Sequence, residues 1–197
     1  MKITILKTSL IILLITAICS CTNSLTEEEN WNPQLPPITQ TGANTFGCKI
    51  NGEIMIPRDS RKSQLGGIPT GVAYGWSTIT ANYDWIKAVD RYTSRGGIAF
   101  KLPEIQNLGI GEYEVKTMIG GYVSTNPNVV YMGASYNGYY GSIEGTGKII
   151  ITRYDDEVIS GTFYCKLKND HNPNNIIEVT EGRFDFNKNT INTHEFR

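Results

Sequence analysis

The chain has 197 residues, of which 18 are Lys or Arg and 19 are Asp or Glu, giving a net charge of −1 at pH 7. This balance excludes a strongly basic domain, so no nucleic-acid partner is expected. The 20 glycines and 11 tyrosines favour strands and turns over helices.

Residues 1–20 predict a cleaved secretory signal. Lys2 and Lys7 come before an apolar run at residues 9–19. That run is shorter than the roughly 20 residues that a membrane-spanning helix needs. We therefore expect export from the cytoplasm rather than a transmembrane helix.

The signal ends in Ile18-Cys19-Ser20-Cys21. An aliphatic residue, a small residue and then a cysteine resemble the lipobox of bacterial lipoproteins. The resemblance implies cleavage before Cys21, a thioether from its thiol to diacylglycerol, and a fatty acid such as palmitate on its new amino group. Several acyl chains give stable membrane anchoring, whereas one gives reversible binding. An ordinary signal peptide is the alternative. A zinc site or a redox pair is not expected, because the spacing of Cys19 and Cys21 matches neither pattern.

Residues 21–43 predict a linker that begins with the lipidated Cys21. They contain Pro33, Pro36 and Pro37, the acidic run Glu27-Glu28-Glu29 and no apolar periodicity. The acidic run is read either as a solvated tether or as a signal for export to the cell surface. We expect a location at the outer membrane, on its periplasmic or its exposed side.

Residues 44–197 predict a single all-β domain. Its first hairpin is the clearest local signal, because Phe46, Cys48 and Ile50 share one face of a strand and Asn51-Gly52 forms a tight turn. A second strong hairpin turns at Asp155-Asp156. The inward residues of its second strand are predicted to be Ile159, Phe163, Cys165 and Leu167.

Other elements are predicted between and after these hairpins. One strand with a bulge is expected at residues 72–85, followed by a helical turn at 85–92. Further strands are expected at 96–105 and 113–116, on both sides of Asn137-Gly138, and at 175–186. Strands spaced in this way favour a single antiparallel β-sandwich or a partly closed β-barrel, behind a signal peptide and a flexible tether.

Three stretches carry a resemblance to a known family. They are LPPITQTGANTFGCKINGE at residues 35–53, ISGTFYCKL at 159–167 and IIEVTEGRFDF at 176–186. Together with the lipobox they resemble a Bacteroidota-type lipoprotein family of unknown function. The resemblance implies a lipid-anchored all-β domain and brings no catalytic residues with it.

Cys48 and Cys165 both fall on the apolar faces of predicted strands, near opposite ends of the domain. Outside the cytoplasm two thiols can form a disulfide, if the strands bring their Cα atoms within about 7 Å. The alternative is two separate buried thiols that pack as small apolar side chains. Both interpretations stay open from the sequence.

Catalytic and metal-binding patterns are missing from the sequence. His171 lies in a polar turn and His194 in the tail, and neither adjoins a nucleophile. The acidic cluster from Asp155 to Glu157 matches no calcium-loop template. We expect no catalytic residues, no metal ligands and no cofactor.

Aromatic residues in the middle of the chain form the candidate binding set. They are Trp76, Trp85, Tyr136, Tyr139 and Tyr140, several of them beside glycine. Exposed aromatic faces can stack on sugar rings or anchor a protein partner. Ordinary cross-strand packing is the alternative. We expect a non-enzymatic, lipid-anchored envelope protein that binds a glycan or a protein. A polysaccharide hydrolase and a structural envelope component are the other two hypotheses.

Overall fold

The fold is taken from a computed structural model. It describes residues 31–60, 70–77, 83–93, 96–103, 109–118 and 130–197. The chain divides into two compact units, Met1–Pro33 and Gln34–Arg197. The predicted signal sequence and Cys21 lie outside the described residues. Within the described ranges, no helix has the length and apolar character required to cross a membrane.

Gln34–Arg197 is built from strands and one short 3-10 turn. The strands are β1 (Thr45–Ile50), β2 (Glu53–Met55), β3 (Val72–Ser77), β4 (Tyr83–Asp90), β5 (Gly96–Pro103), β6 (Gly111–Glu114), β7 (Tyr131–Ser135), β8 (Tyr139–Ser142), β9 (Lys148–Tyr154), β10 (Val158–Asn169) and β11 (Ile176–Asn187), and the 3-10 turn is Ile191–Thr193. The predicted all-β class is confirmed.

The strands form one antiparallel sheet that curls into a half-barrel. Its main order is β2-β1-β11-β10-β8-β7-β5-β4-β3. The sheet branches at β10, where residues 159–164 pair with β9 and residues 167–169 pair with β8. β9 in turn pairs with β6. A bulge in β11 between Gly182 and Val179, with Glu181 at a φ of 50°, lies opposite Phe163 and Cys165 where this change of partner occurs, and bulges increase local twist and curvature.

The core fills the concave side of the curled sheet. Phe100 of β5 packs edge-on against Phe163 of β10 with ring centroids 4.6 Å apart, and Phe46, Phe184 and Phe186 complete the cluster. Edge-to-face and tilted aromatic pairs at such distances are favourable. Strands distant in the sheet order therefore meet through one aromatic core.

The two local hairpins match the sequence prediction. Asn51 and Gly52 have φ angles of 50° and 85°, as a two-residue turn with both residues left-handed requires. Phe46, Cys48 and Ile50 face the core, as do Ile159 and Phe163, and each of these side chains is at most 2% exposed. Period-two alternation located these residues correctly.

The prediction for residues 72–92 was wrong in two respects. The structure has two paired strands, β3 and β4, where one bulged strand was expected, and β4 continues to Asp90 where a helical turn was expected. In β4, Ile86 and Ala88 are fully buried while Lys87 is exposed, which is strand periodicity. Apolar residues on both faces of β4 hide this alternation in the sequence.

A buried ion pair joins the chain after β2 to the end of β4. Arg58 forms an isolated parallel bridge with Asp90. Its Nε and Nη2 donate to the two carboxylate oxygens of Asp90 at 3.1 and 2.8 Å, and its guanidinium lies 4.4 Å from the centroid of the Tyr92 ring. Two-point pairing suits the planar guanidinium. Through this pair the segment after one edge strand contacts a strand near the other edge.

Residues 35–43, the docking segment, pack on the convex outer face of the sheet. Asp185 of β11 is 1% exposed and accepts hydrogen bonds from this segment. The donors are Thr39 Oγ1 (2.7 Å), Thr41 N (2.9 Å), Thr41 Oγ1 (3.3 Å), Gly42 N (2.8 Å) and Ala43 N (3.2 Å), with Ser160 Oγ (2.6 Å) from β10. The compact unit thus begins at Gln34, inside the stretch that the sequence predicts as linker.

Candidate functional site

The candidate site lies on the outer face of β4, β5, β7 and β8. Strand registers place outward residues of these strands in three adjacent rows. The first row is Trp85, Lys101 and Tyr131; the second is Lys87, Ala99, Gly133 and Gly141; the third is Val89, Gly97, Ser135 and Tyr139. We call this surface, together with Met118 and Asp170 at its side, the outer groove.

The groove consists of two adjoining cavities. One has a volume of about 280 Å³ and extends to Tyr139 and Asp170. The other has a volume of about 330 Å³ and extends to Trp85 and Tyr131. Both are lined by Lys87, so they form one depression along the strands. From Trp85 to Val89 it runs for about 13 Å, at about 3.3 Å per strand residue.

The floor of the groove is made of residues with little or no side chain. The small residues that line it are Gly97, Ala99 and Gly133. Met118 forms one wall. A Cβ added at Gly133 would lie 3.3 Å from the Met118 sulfur, and a Cβ added at Gly141 would lie 2.5 Å from the Met118 carbonyl oxygen. The Met118 side chain thus occupies the space above Gly133, and Val89 does the same above Gly97, where a Cβ would lie 2.7 Å from its methyl group. Ala99 is the exposed part of the floor.

Trp85 forms the wall at one end. Its indole ring lies over Gly75 of β3, where a Cβ would be 2.7 Å from the ring. The neighbouring Lys101 stands between Trp85 and Tyr131 in the register and is 5% exposed. Burial lowers the pKa of the Lys101 ammonium. The lysine stem is thus packed between aromatic neighbours.

Tyr139 and Lys87 give the groove its exposed groups. Tyr139 is 70% exposed, and its carbonyl accepts a hydrogen bond from Asp170 N at 3.0 Å, which places Asp170 at the same end. Lys87 is exposed at the centre, and within the described part of the chain no carboxylate pairs with it. The groove therefore offers aromatic faces at its ends and a cation between them.

The five predicted aromatic residues have different positions. Trp85 and Tyr139 line the groove, at opposite ends. The Tyr136 hydroxyl donates to Glu53 at 3.1 Å while its ring packs against the core, and Tyr140 is buried with its hydroxyl accepting from the side-chain amide of Asn175. The side chain of Trp76 lies outside the described residues. Trp85 and Tyr139 are therefore the two predicted aromatic residues that stay candidates for binding.

Sequence reasoning missed Lys87, Lys101, Tyr131 and Met118. The available signal was the alternation of β5, in which Ala99 and Lys101 face away from Ile98 and Phe100. That pattern gives the outward positions but not their neighbours on other strands. Only the register of β4, β5 and β7 brings these residues together.

Cys48 and Cys165 are both free, buried thiols, and the disulfide considered from the sequence is not formed. Strand β11 separates them, because Val179 pairs with Cys165 on one side and with Ile50, two residues after Cys48, on the other. Two strand spacings are about 10 Å, more than the Cα separation of a disulfide. Burial raises the pKa of both thiols, so neither is a ready nucleophile.

The predicted polar candidates occupy structural positions. Asp155 accepts the backbone N–H groups of Glu157 and Val158 and so stabilises the β9–β10 turn. His171 is exposed in a turn, and His194 packs edge-on against Phe196 at 4.7 Å. Across the described ranges, no three His, Cys, Asp or Glu side chains are grouped to hold a metal.

A second polar cluster lies on the concave side, near the edge of the core. It contains Tyr74, Asp84, Tyr154 and Lys188, with the Lys188 ammonium 3.7 Å from the centroid of the Tyr154 ring. Burial, and then the Asp84 carboxylate, raise the pKa of Tyr154 to about 12 and raise that of Tyr74 as well. Both hydroxyls therefore stay protonated at neutral pH and are not available as bases.

Comparison of the chain with protein-family models, with curated proteins and with solved structures finds no match.

Proposed function

We propose that the protein is an envelope lipoprotein, anchored to the outer membrane through Cys21, whose β-domain binds a carbohydrate in the outer groove without acting on it chemically. The observation that supports this function is a floor of Gly97, Ala99 and Gly133 between the aromatic side chains of Trp85 and Tyr139. Binding sites combine such apolar surfaces with a few polar groups that fix orientation.

A sugar ring fits this combination. Its C–H face packs on an aromatic face, and its hydroxyls accept and donate hydrogen bonds at the rim. Trp85 and Tyr139 supply aromatic faces, while Lys87 and Ser135 supply polar groups beside them. The small, exposed Ala99 opposite Lys87 leaves room for the ring above the sheet. The length of the groove, about 13 Å at the rise of a strand, admits a short stretch of a chain of sugars.

An extended peptide fits less well. Peptides that bind sheets commonly add a strand to a free edge and use backbone hydrogen bonds. The groove lies on the face of β4, β5 and β7, and each of these strands has a paired neighbour on both sides. A peptide there would bring many backbone donors and acceptors to a surface that offers few partners.

Binding is favoured over hydrolysis by the carboxylates of the groove. Glycoside hydrolysis generally uses two carboxyl groups on either side of the scissile bond. Among the described residues that line the two cavities, Asp170 is the one carboxylate, and it lies at the end near Tyr139. The pair that the reaction needs is not assembled from these residues.

The docking segment determines where the anchor leaves the domain. Residues 39–43 are held on β11 by Asp185, and Pro36 contacts β1 at Gly47. A tether from Cys21 therefore joins the domain on the outer face of β1 and β11. The outer groove is on other strands of the sheet and stays clear of that attachment.

Affinity electrophoresis of the full-length protein in detergent tests the binding. The gels contain laminarin, xylan, polygalacturonate or dextran sulfate. We expect at least one polysaccharide to retard the protein, and Trp85→Ala and Tyr139→Ala to weaken the retardation at least about 10-fold, or 1.4 kcal/mol. Tyr164→Ala is the matched control, since Tyr164 is exposed on β10 outside the groove. Equal retardation of all variants, or none with any polysaccharide, contradicts the proposal.

A separate experiment tests the anchor. Cells that express the protein are labelled with a palmitate analogue, and the extract is partitioned with detergent. We expect the label and the detergent partitioning to be lost in Cys21→Ser and kept in Cys19→Ser. Label that persists in the Cys21 variant shows that the anchor is elsewhere.

A further inference from the structure

We infer that the glycan bound in the outer groove is anionic and that the Lys87 ammonium recognises its negative group. This inference rests on the proposed function and specifies its ligand class. It comes from the charges that face the groove, from the position of Lys87 beside Trp85, and from the contacts that Lys87 lacks.

The charges in the groove are biased towards positive. Among the described residues that line the two cavities, the charged side chains are those of Lys87, Lys101 and Asp170. Two of these three are cations, and Lys87 is the exposed one. The exposed cation lies where the two cavities adjoin, which favours an anionic ligand there.

Lys87 is the cation available to such a ligand. It is exposed, it lines both cavities, and within the described residues it forms no ion pair. Two lysines on other strands of the outer face are paired instead: Lys49 of β1 with Glu181 at 2.5 Å and Lys148 of β9 with Glu112 at 2.7 Å. A paired lysine would have to release its carboxylate before it could bind a ligand anion.

The position of Lys87 beside Trp85 gives the recognition its geometry. The two residues are separated by one residue on β4 and point to the same face, so their Cα atoms are about 7 Å apart. A sugar ring stacked on Trp85 carries its carboxylate or sulfate at the ring edge. The flexible stem of Lys87 reaches that edge over the small side chain of Ala99, which lies opposite Lys87 on β5. A charge-assisted hydrogen bond then forms.

Matched pairs of probes test this inference with the full-length protein in detergent. One pair is an oligogalacturonide and its methyl ester, and the other is dextran sulfate and dextran. We expect the anionic member of at least one pair to bind at least 10-fold more tightly by calorimetry. Raising NaCl from 50 to 500 mM should weaken that binding, because salt screens exposed charges.

Variants locate the anion. Lys87→Gln should weaken binding of the anionic probe at least 5-fold and leave its neutral partner unaffected. Lys168→Gln removes the same charge from β10, outside both cavities, and should change neither. Thermal unfolding of both variants should match that of the wild-type protein, since both lysines lie on the outer face.

The outcomes separate this inference from the proposed function. Equal or tighter binding of the neutral probes overturns the anionic ligand but leaves carbohydrate binding intact. Full anionic binding by Lys87→Gln overturns the role of that residue. Absence of binding to every anionic probe overturns the inference. The proposed function falls as well only if laminarin and xylan also leave the protein unretarded.

Discussion

The outer face of the sheet differs between its two halves. Around Asp185 of β11, beside the Gly47 end of β1 and the Ser160 end of β10, it is covered by the docking segment, whose donors converge on the buried Asp185 carboxylate. Over β4, β5, β7 and β8 it carries the outer groove, with exposed Lys87 and Tyr139 above a floor of small residues. Both halves bury the same kind of apolar inner face. The outward residues alone distinguish the half that carries the docking segment from the half that carries the groove.

The two halves therefore contribute differently to stability. A buried carboxylate with many donors is costly to remove, because each donor left unpaired in the interior costs about 1–3 kcal/mol. Substitutions of exposed side chains, such as those of Tyr139 and Lys87, usually change the free energy of unfolding by less than about 0.5 kcal/mol. Substitutions in the covered half should act on folding, and those in the groove on binding.

The largest expected effect is that of Asp185→Ala. The change removes the acceptor shared by Thr39, Thr41, Gly42 and Ala43, so we expect the free energy of unfolding to fall by about 3 kcal/mol or more. Urea unfolding followed by circular dichroism measures it. Asp156→Ala, at the exposed β9–β10 turn, is the control and should lie within about 0.5 kcal/mol of the wild type. A loss as small as that of the control would show that the docking segment adds little to stability.

A smaller effect is expected on acidification. Burial by itself raises the pKa of Asp185, but the hydrogen bonds from Ser160, Thr39, Thr41 and Gly42 outweigh it and lower the pKa to about 2 from an ordinary value of 3.8. Because the folded-state pKa is the lower one, this stabilisation is complete above pH 3.8 and is lost as the pH falls through 2.

The wild-type protein should thus lose about 2 kcal/mol more than Asp185→Asn between about pH 5 and pH 2. Urea unfolding at intervals across this range gives the two curves, and their difference isolates Asp185 from the other carboxylates. Parallel curves would mean that Asp185 titrates alike in the folded and unfolded chains.

Local pattern was enough to predict most of the covered half. Phe46, Cys48 and Ile50 alternate cleanly with outward residues, and Asn51-Gly52 sets the turn, so the first hairpin follows from neighbouring residues. The same applies to the β9–β10 hairpin. The branch at β10 could not be predicted, because it depends on which partner each half of one long strand meets.

The groove was predictable only in part, for a physical reason. Trp85 and Tyr139 were selected as exposed aromatic residues, but their arrangement depends on the register of four strands. Lys101 looks like an ordinary solvent-facing lysine in its strand, yet in the sheet it lies between Trp85 and Tyr131 and is buried. Composition reveals what a face contains, whereas register decides which of its residues meet.

The smallest expected change in stability, and the most specific test of the groove, is Gly75→Ala. A Cβ at this position would lie 2.7 Å from the Trp85 ring, so the indole must move while its chemistry stays the same. We expect the indole N–H resonance of Trp85, assigned with Trp85→Phe, to shift, and polysaccharide binding to weaken. Stability should change by less than about 1 kcal/mol. Gly111→Ala on β6 is the matched control, since its nearest neighbour lies at an ordinary 3.4 Å. An unshifted Trp85 resonance in Gly75→Ala would show that the ring does not rest on β3, and the groove would lose the wall that the proposed stacking requires.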